Sequence, residues 1–74
     1  MKRYFFDLVG NRSEFDYRGY EMPSAEKALQ LAELMATDEC SRGERIGWKI
    51  NVLDAHGTRY FSVPVIDLPK LAVA

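Results

Sequence analysis

A chain of 74 residues has room for one domain, and 47% hydrophobic with 28% charged residues exclude a disordered one. Ten basic against eleven acidic residues leave a formal net charge of −1, which excludes an overall field that would draw the protein onto a nucleic-acid backbone. One cysteine, Cys40, excludes an intrachain disulfide, and one histidine, His56, has no ligand cluster around it in the sequence, so neither a metal nor another cofactor is expected.

The opening Met1-Lys2-Arg3-Tyr4-Phe5-Phe6 does not read as a signal peptide, because Asp7 interrupts the apolar run at once. No segment approaches the roughly 18 apolar residues that cross a bilayer. With a single cysteine, the expected location is the reducing cytoplasm, away from membranes.

Residues 2–9 read as a strand with two largely apolar faces: Tyr4, Phe6 and Leu8 on one, Phe5, Asp7 and Val9 on the other. Gly10-Asn11-Arg12-Ser13 is a turn signal. Residues 14–22 read as a weaker second strand, bulged at Gly19, where the parity of its aromatic residues flips; it should form a hairpin with the first.

Ser24 is placed to cap a helix that Gly43 should stop after Arg42, with Glu26 at the positive end of its dipole. Steps of 100° put Ala25, Ala28, Leu29, Leu31, Ala32, Met35, Ala36 and Cys40 in one half-circle. Leu34 falls on the polar side, and Glu39 falls in the apolar arc, where an overhanging last turn should let its carboxylate reach water. Cys40 sits late in the helix, where the dipole disfavours a thiolate.

Residues 48–54 form the third expected strand, with Trp48, Ile50 and Val52 alternating against Lys49, Asn51 and Leu53. Ala55-His56-Gly57 is a turn, so His56 reads as a solvated turn residue. The fourth strand, residues 58–65, puts Phe61, Val63 and Val65 on one face and Tyr60 and Ser62 on the other. Pro64 must end it or mark it as an edge. Residues 67–74 read as a tail or a short terminal turn.

The expected fold is α+β with layout ββαββ: a four-stranded, mainly antiparallel sheet and one helix packed on one face, with residues 1–68 as the domain and 69–74 as a C-terminal tail. If the third strand lies parallel beside the first, the helical crossover should be right-handed. A ubiquitin-like β-grasp shares this element order, but the chain lacks that family's C-terminal diglycine.

The whole chain also resembles a family of short uncharacterised proteins abundant in alphaproteobacteria, especially rhizobia, a domain of unknown function. The residues that carry the resemblance are Arg3-Tyr4-Phe5-Phe6, Gly19-x-Glu21-Met22-Pro23, the alanine-rich helix, Val52-Leu53-Asp54 with Gly57, and Val63-Pro64-Val65-x-Asp67. It departs at Tyr17-Arg18, where acidic residues often precede the glycine. The resemblance implies a single-domain bacterial protein and transfers no catalytic residue.

No nucleophile has a base and an orienting group beside it in sequence, so no catalytic residue is assigned and an enzyme is not expected. One helix cannot cover both faces of four strands, and an uncovered aromatic face points to association. The expected function is a non-catalytic protein-interaction or regulatory accessory module. It should associate as a homodimer, or with another protein partner, through the helix-free face or a strand edge. Tyr4, Phe6, Tyr17, Trp48 and Tyr60 are the candidate interface. The alternative is a nucleic-acid-binding module that stacks bases on those aromatics and Tyr20, between Lys2, Arg3, Arg12, Arg18, Lys49 and Arg59. The balanced charge disfavours it.

Overall fold

A computed structural model of the protein describes residues 1–66; the tail expected over residues 69–74 lies outside them. The elements in chain order are β1 (Lys2–Val9), β2 (Ser13–Glu14), β3 (Tyr20–Met22), α1 (Ala25–Ser41), β4 (Lys49–Asp54) and β5 (Arg59–Pro64). The α+β class is as expected, as is the single helix among the described residues.

The expected second strand is two short ones. Both β2 and β3 pair antiparallel with β1 on the same edge, β2 opposite Leu8 and Val9 and β3 opposite Lys2 to Tyr4. Residues 15–19 between them leave the ladder. The sheet therefore has five strands but is four positions wide, in the order β2/β3, β1, β4, β5. β4 lies beside β1 in the antiparallel sense, so no parallel crossover exists; Tyr4 pairs with Asp54 and Val9 with Lys49.

The helix ends follow local chemistry. Ser24 is extended, and its hydroxyl accepts from the Lys27 amide at 3.2 Å. At the other end the Gly43 amide donates to the Cys40 carbonyl and the Glu44 amide to that of Glu39. Gly43 takes φ +71°, a conformation glycine adopts without a Cβ clash. Ala28, Ala32 and Ala36 form a buried stripe at i, i+4 spacing that lets the helix lie close to the sheet. Leu34 faces solvent, as its place on the wheel requires.

That stripe meets Tyr4 and Phe6 of β1, Ile50 and Val52 of β4, and Val65. Tyr4 and Phe6 are 3% and 7% exposed. The helix thus covers the face on which β1 carries Tyr4, Phe6 and Leu8, with Lys2 at its exposed end. It leaves bare the face that carries Asp7, Asn51 and Lys49, where charged groups keep their water.

Both sheet edges are blunted. On β5, Val52 pairs with Phe61 but Leu53 pairs with Arg59, so Tyr60 is an extra, bulged residue. The Val65 amide donates inward to the Trp48 carbonyl, so by alternation Pro64 has its missing N–H on the outward side, where no ladder bond is lost. The opposite edge is broken into two short pieces. Short strands, a bulge and a proline are the devices that discourage strand addition.

Candidate functional site

The helix-free face is built in rows from the strand register. Arg3 stands against Glu21, Phe5 against Leu53, Asp7 against Asn51, and Val9 against Lys49. In the polar row Ser62 donates to Asn51 at 2.9 Å, while Asp7 bonds outside the row to the Asp16 amide. The Phe5–Leu53 row is the apolar one, half-buried on both sides.

Residues 15–19 fold over the end of that row. The loop is held by Asp16, whose Oδ2 accepts from the Phe6 amide at 3.1 Å and whose Oδ1 accepts from the Arg18 and Gly19 amides, both at 3.0 Å. In return the Asp16 amide donates to Asp7 Oδ1 at 3.0 Å. Gly19, at φ +71°, passes so close to β1 that a Cβ would lie 2.8 Å from the Tyr4 carbonyl oxygen. This bracing projects two aromatic side chains outward: Phe15 is 56% and Tyr17 87% exposed. With Phe5, Leu53 and the 55–57 loop they border a shallow depression of about 300 Å³.

The five aromatic candidates read from the sequence do not form one surface. Tyr4 and Phe6 are core residues beneath the helix, so they are not available as an interface. Trp48 packs against the same core. A Cβ on Gly10 would stand 2.2 Å from its ring, and the Arg45 guanidinium lies 5.6 Å from the ring centroid on its way to other partners. Tyr60 has been turned by the bulge toward the helix side of the sheet, edge-on to Tyr4 at 5.6 Å between centroids. Only Tyr17 projects from the helix-free side. Phe5, Phe15 and Leu53 are the additional members of that patch. The signal for them was where the charges fall: Asp7 stands in mid-strand on the open face, whereas the covered face carries charge only at its Lys2–Asp54 end.

Two polar clusters have structural duties. Asp54, 6% exposed, accepts from the His56 and Thr58 amides at 2.8 and 3.0 Å and so fastens the β4–β5 turn. Burial pushes its carboxyl up, but the Thr58 and His56 amides, the Tyr60 hydroxyl and the Lys2 ammonium outweigh that and hold it below the ordinary carboxylate value. Lys2 donates to the Tyr60 hydroxyl at 2.8 Å, which raises its own pKa.

Arg45 is the second fastening. It is held at φ 54°, outside the usual range for a side-chain-bearing residue. It reaches both Glu14 oxygens at 3.0 and 3.1 Å and Glu39 at 3.3 Å, tying β2 to the end of α1. Glu39 also receives Arg42 at 2.8 Å. Its side chain is only 13% exposed, so the carboxylate is not at the water's edge as the helical wheel suggests; it sits between two guanidinium groups. Arginine bonding lowers the Glu14 pKa.

Nothing in these clusters forms a reacting constellation. His56 is in the exposed turn and Cys40 packs against the core at the far end of α1. Asp7, Asp16 and Asp54 border one depression, but both Asp16 oxygens accept backbone amides, and Asp54 accepts the His56 and Thr58 amides on one oxygen and the Tyr60 hydroxyl on the other. Among the described residues no three potential metal ligands converge, and no helix is long and apolar enough to cross a membrane.

A family model described as a domain of unknown function, DUF6894, matches residues 3–67. No curated protein and no solved structure matches the chain.

Proposed function

We propose that this chain, which belongs to the DUF6894 family of domains of unknown function, is a small non-catalytic interaction module that self-associates through the helix-free face of its sheet. The observation that carries the reading is the Phe5–Leu53 pair on that face, extended by the exposed rings of Phe15 and Tyr17. Exposed aromatics around an apolar pair are the residue types that anchor protein interfaces. The blunted edges favour association by the face over strand addition.

The thin core supports the same reading. Eight hydrophobic residues are buried among those described, and of the larger side chains only Val52 and Val65 are fully enclosed. Chains of this size commonly complete their burial with a partner subunit. We take the protein to act in a bacterium of the alphaproteobacterial type, as the resemblance implies, and in its cytoplasm, as the single cysteine suggests.

Sedimentation equilibrium over a hundredfold concentration range tests it. The mass should climb from 8.5 kDa toward twice that value, and a Phe15→Ser, Tyr17→Ser double variant should stay monomeric and melt like wild type when both are compared at a dilution where wild type is monomeric. A wild-type monomer at every concentration overturns the reading. Nucleic-acid binding that weakens steeply with salt would replace it with the base-stacking alternative.

A further inference from the structure

We infer that the depression bordered by Phe5, Phe15, Tyr17, Leu53, Asp7 and Asp16 receives a cationic side chain, arginine or lysine, from a second copy of the chain. The inference rests on the self-association proposed above and names the chemistry of its anchor. Three observations lead to it.

First, the rings of Phe5, Phe15 and Tyr17 make no aromatic or cationic contact among the described residues. The ring contacts of the fold join Tyr4, Phe6, Tyr20, Tyr60 and Phe61, and none among the described residues involves Phe5, Phe15 or Tyr17. The fold's own cation–π contacts are Lys2 on Tyr60 and Arg45 on Trp48, both away from this depression. A cation over an aromatic ring is attracted by the ring quadrupole.

Second, the depression carries negative charge and no positive charge of its own. None of its described lining residues is basic. Asp7 uses Oδ1 to accept the Asp16 amide, while its Oδ2 has no partner among the described residues. A carboxylate oxygen beside aromatic rings suits a guanidinium, which stacks and hydrogen-bonds at once, or an ammonium.

Third, the complementary charge is present on the same chain and is uncommitted. Arg18, Lys49 and Arg59 have side chains with no ion-pair or hydrogen-bond partner among the described residues. All three are exposed. Lys49 stands on the helix-free face opposite Val9, and Arg59 is opposite Leu53 in the register. Two copies face to face can exchange these cations for each other's Asp7, which opposes the like-charge contact of the two carboxylates.

The first test is a titration of the dilute protein with acetyl-arginine amide, against the neutral isostere acetyl-citrulline amide, read on the Phe5, Phe15 and Tyr17 ring protons by NMR. Saturable shifts with the arginine probe alone are expected, weakened by up to about fivefold in Asp7→Asn, the upper end of what an exposed ion pair exerts. The carboxamide introduced by that substitution keeps an oxygen for the Asp16 amide, so the loop should stay folded. Equal responses to the two probes, or no saturable response, overturn the cation site.

The second test combines Asp7→Asn with Arg18→Gln, Lys49→Gln or Arg59→Gln in sedimentation. One of the three pairs should weaken the dimer by less than the product of its single effects. Strict additivity in all three overturns the second copy as the source while leaving self-association intact. A monomer throughout, with the NMR titration positive, removes the self-association reading and with it the second copy, but leaves the chemistry of the depression standing.

Discussion

Asp16 accepts the backbone amide of Phe6 through Oδ2 at 3.1 Å, at the point where the edge of β1 has neither β2 nor β3 beside it. One carboxylate thus does the work of a missing strand residue. With the Arg18 and Gly19 amides it satisfies three donors. Asp16→Ala leaves the Phe6 donor half-buried without an acceptor, a loss of about 1–3 kcal/mol. For a domain of this size each kcal/mol lowers the melting temperature by roughly 4–8 °C. Asp16→Asn, which keeps one carbonyl oxygen, should fall between wild type and alanine in a thermal melt.

Three glycines should rank by what a Cβ would meet. At Gly43 φ is +71° but nothing lies within 4 Å, so Gly43→Ala should cost only the left-handed backbone term of about 1–2 kcal/mol. At Gly19 the same φ is combined with the Tyr4 carbonyl oxygen at 2.8 Å, which is backbone and cannot step aside. Gly19→Ala should therefore destabilise more than Gly43→Ala. Gly10→Ala would drive a methyl to 2.2 Å from the Trp48 ring. That variant should also shift tryptophan fluorescence, because the ring itself must move. A Gly19→Ala melt equal to that of Gly43→Ala would contradict the close approach.

The parts of the fold written in short-range chemistry were legible in the sequence. Ser24 caps α1, Gly43 closes it, and Gly57 turns between β4 and β5 at φ +83°. Each is fixed by a side chain or an absent Cβ acting within a few residues. What was not legible depends on distant partners. The break at residues 15–19 exists because Asp16 reaches β1, and parity alone renders that as one bulged strand. The turning of Tyr60 toward Tyr4 follows from a register shift against β4. Asp7, Asn51 and Lys49 share the face left open, but Lys2 and Asp54 share the covered one, so which face of β1 the helix takes depends on how deep each charge sits and not on charge alone. Reading the aromatics without those charges placed Tyr4 and Phe6 in an interface instead of the core.

Stability should fall at both ends of the pH scale. The folded pKa of Asp54 lies below its usual 3.8, and that of Glu14 below 4.5. A depressed carboxylate contributes stability above its unfolded value, and that contribution is lost as the pH falls through the folded value. The acid limb should therefore begin below about 4.5 and steepen below 3.8. Lys2 is raised above 10.5 by the Tyr60 hydroxyl, so its contribution is complete below 10.5 and disappears as the pH climbs through the folded value. Asp54→Asn retains an oxygen for the His56 and Thr58 amides but cannot titrate. Melting temperatures taken across the acid range should show a flatter limb in that variant, and an unchanged limb would remove Asp54 as its source.

Arg45 sets a strained backbone against several side-chain contacts, and the two can be separated by substitution. Arg45→Lys keeps the charge but loses the second nitrogen that lets one side chain hold Glu14 and Glu39 at once, and the planar contact with Trp48. It should be less stable than wild type. Arg45→Ala loses all the contacts and keeps the strain of φ 54°, whereas Arg45→Gly loses the contacts and the strain together. The expected order of melting temperatures is wild type, then glycine above alanine, which reverses the usual preference between those two residues. Raising the salt concentration should narrow the gap between wild type and the glycine variant, because the partly exposed pairs to Glu14 and Glu39 are screened. Alanine above glycine would mean that this segment relaxes to ordinary φ once the guanidinium releases Glu14, and that the ion pairs alone impose the left-handed turn.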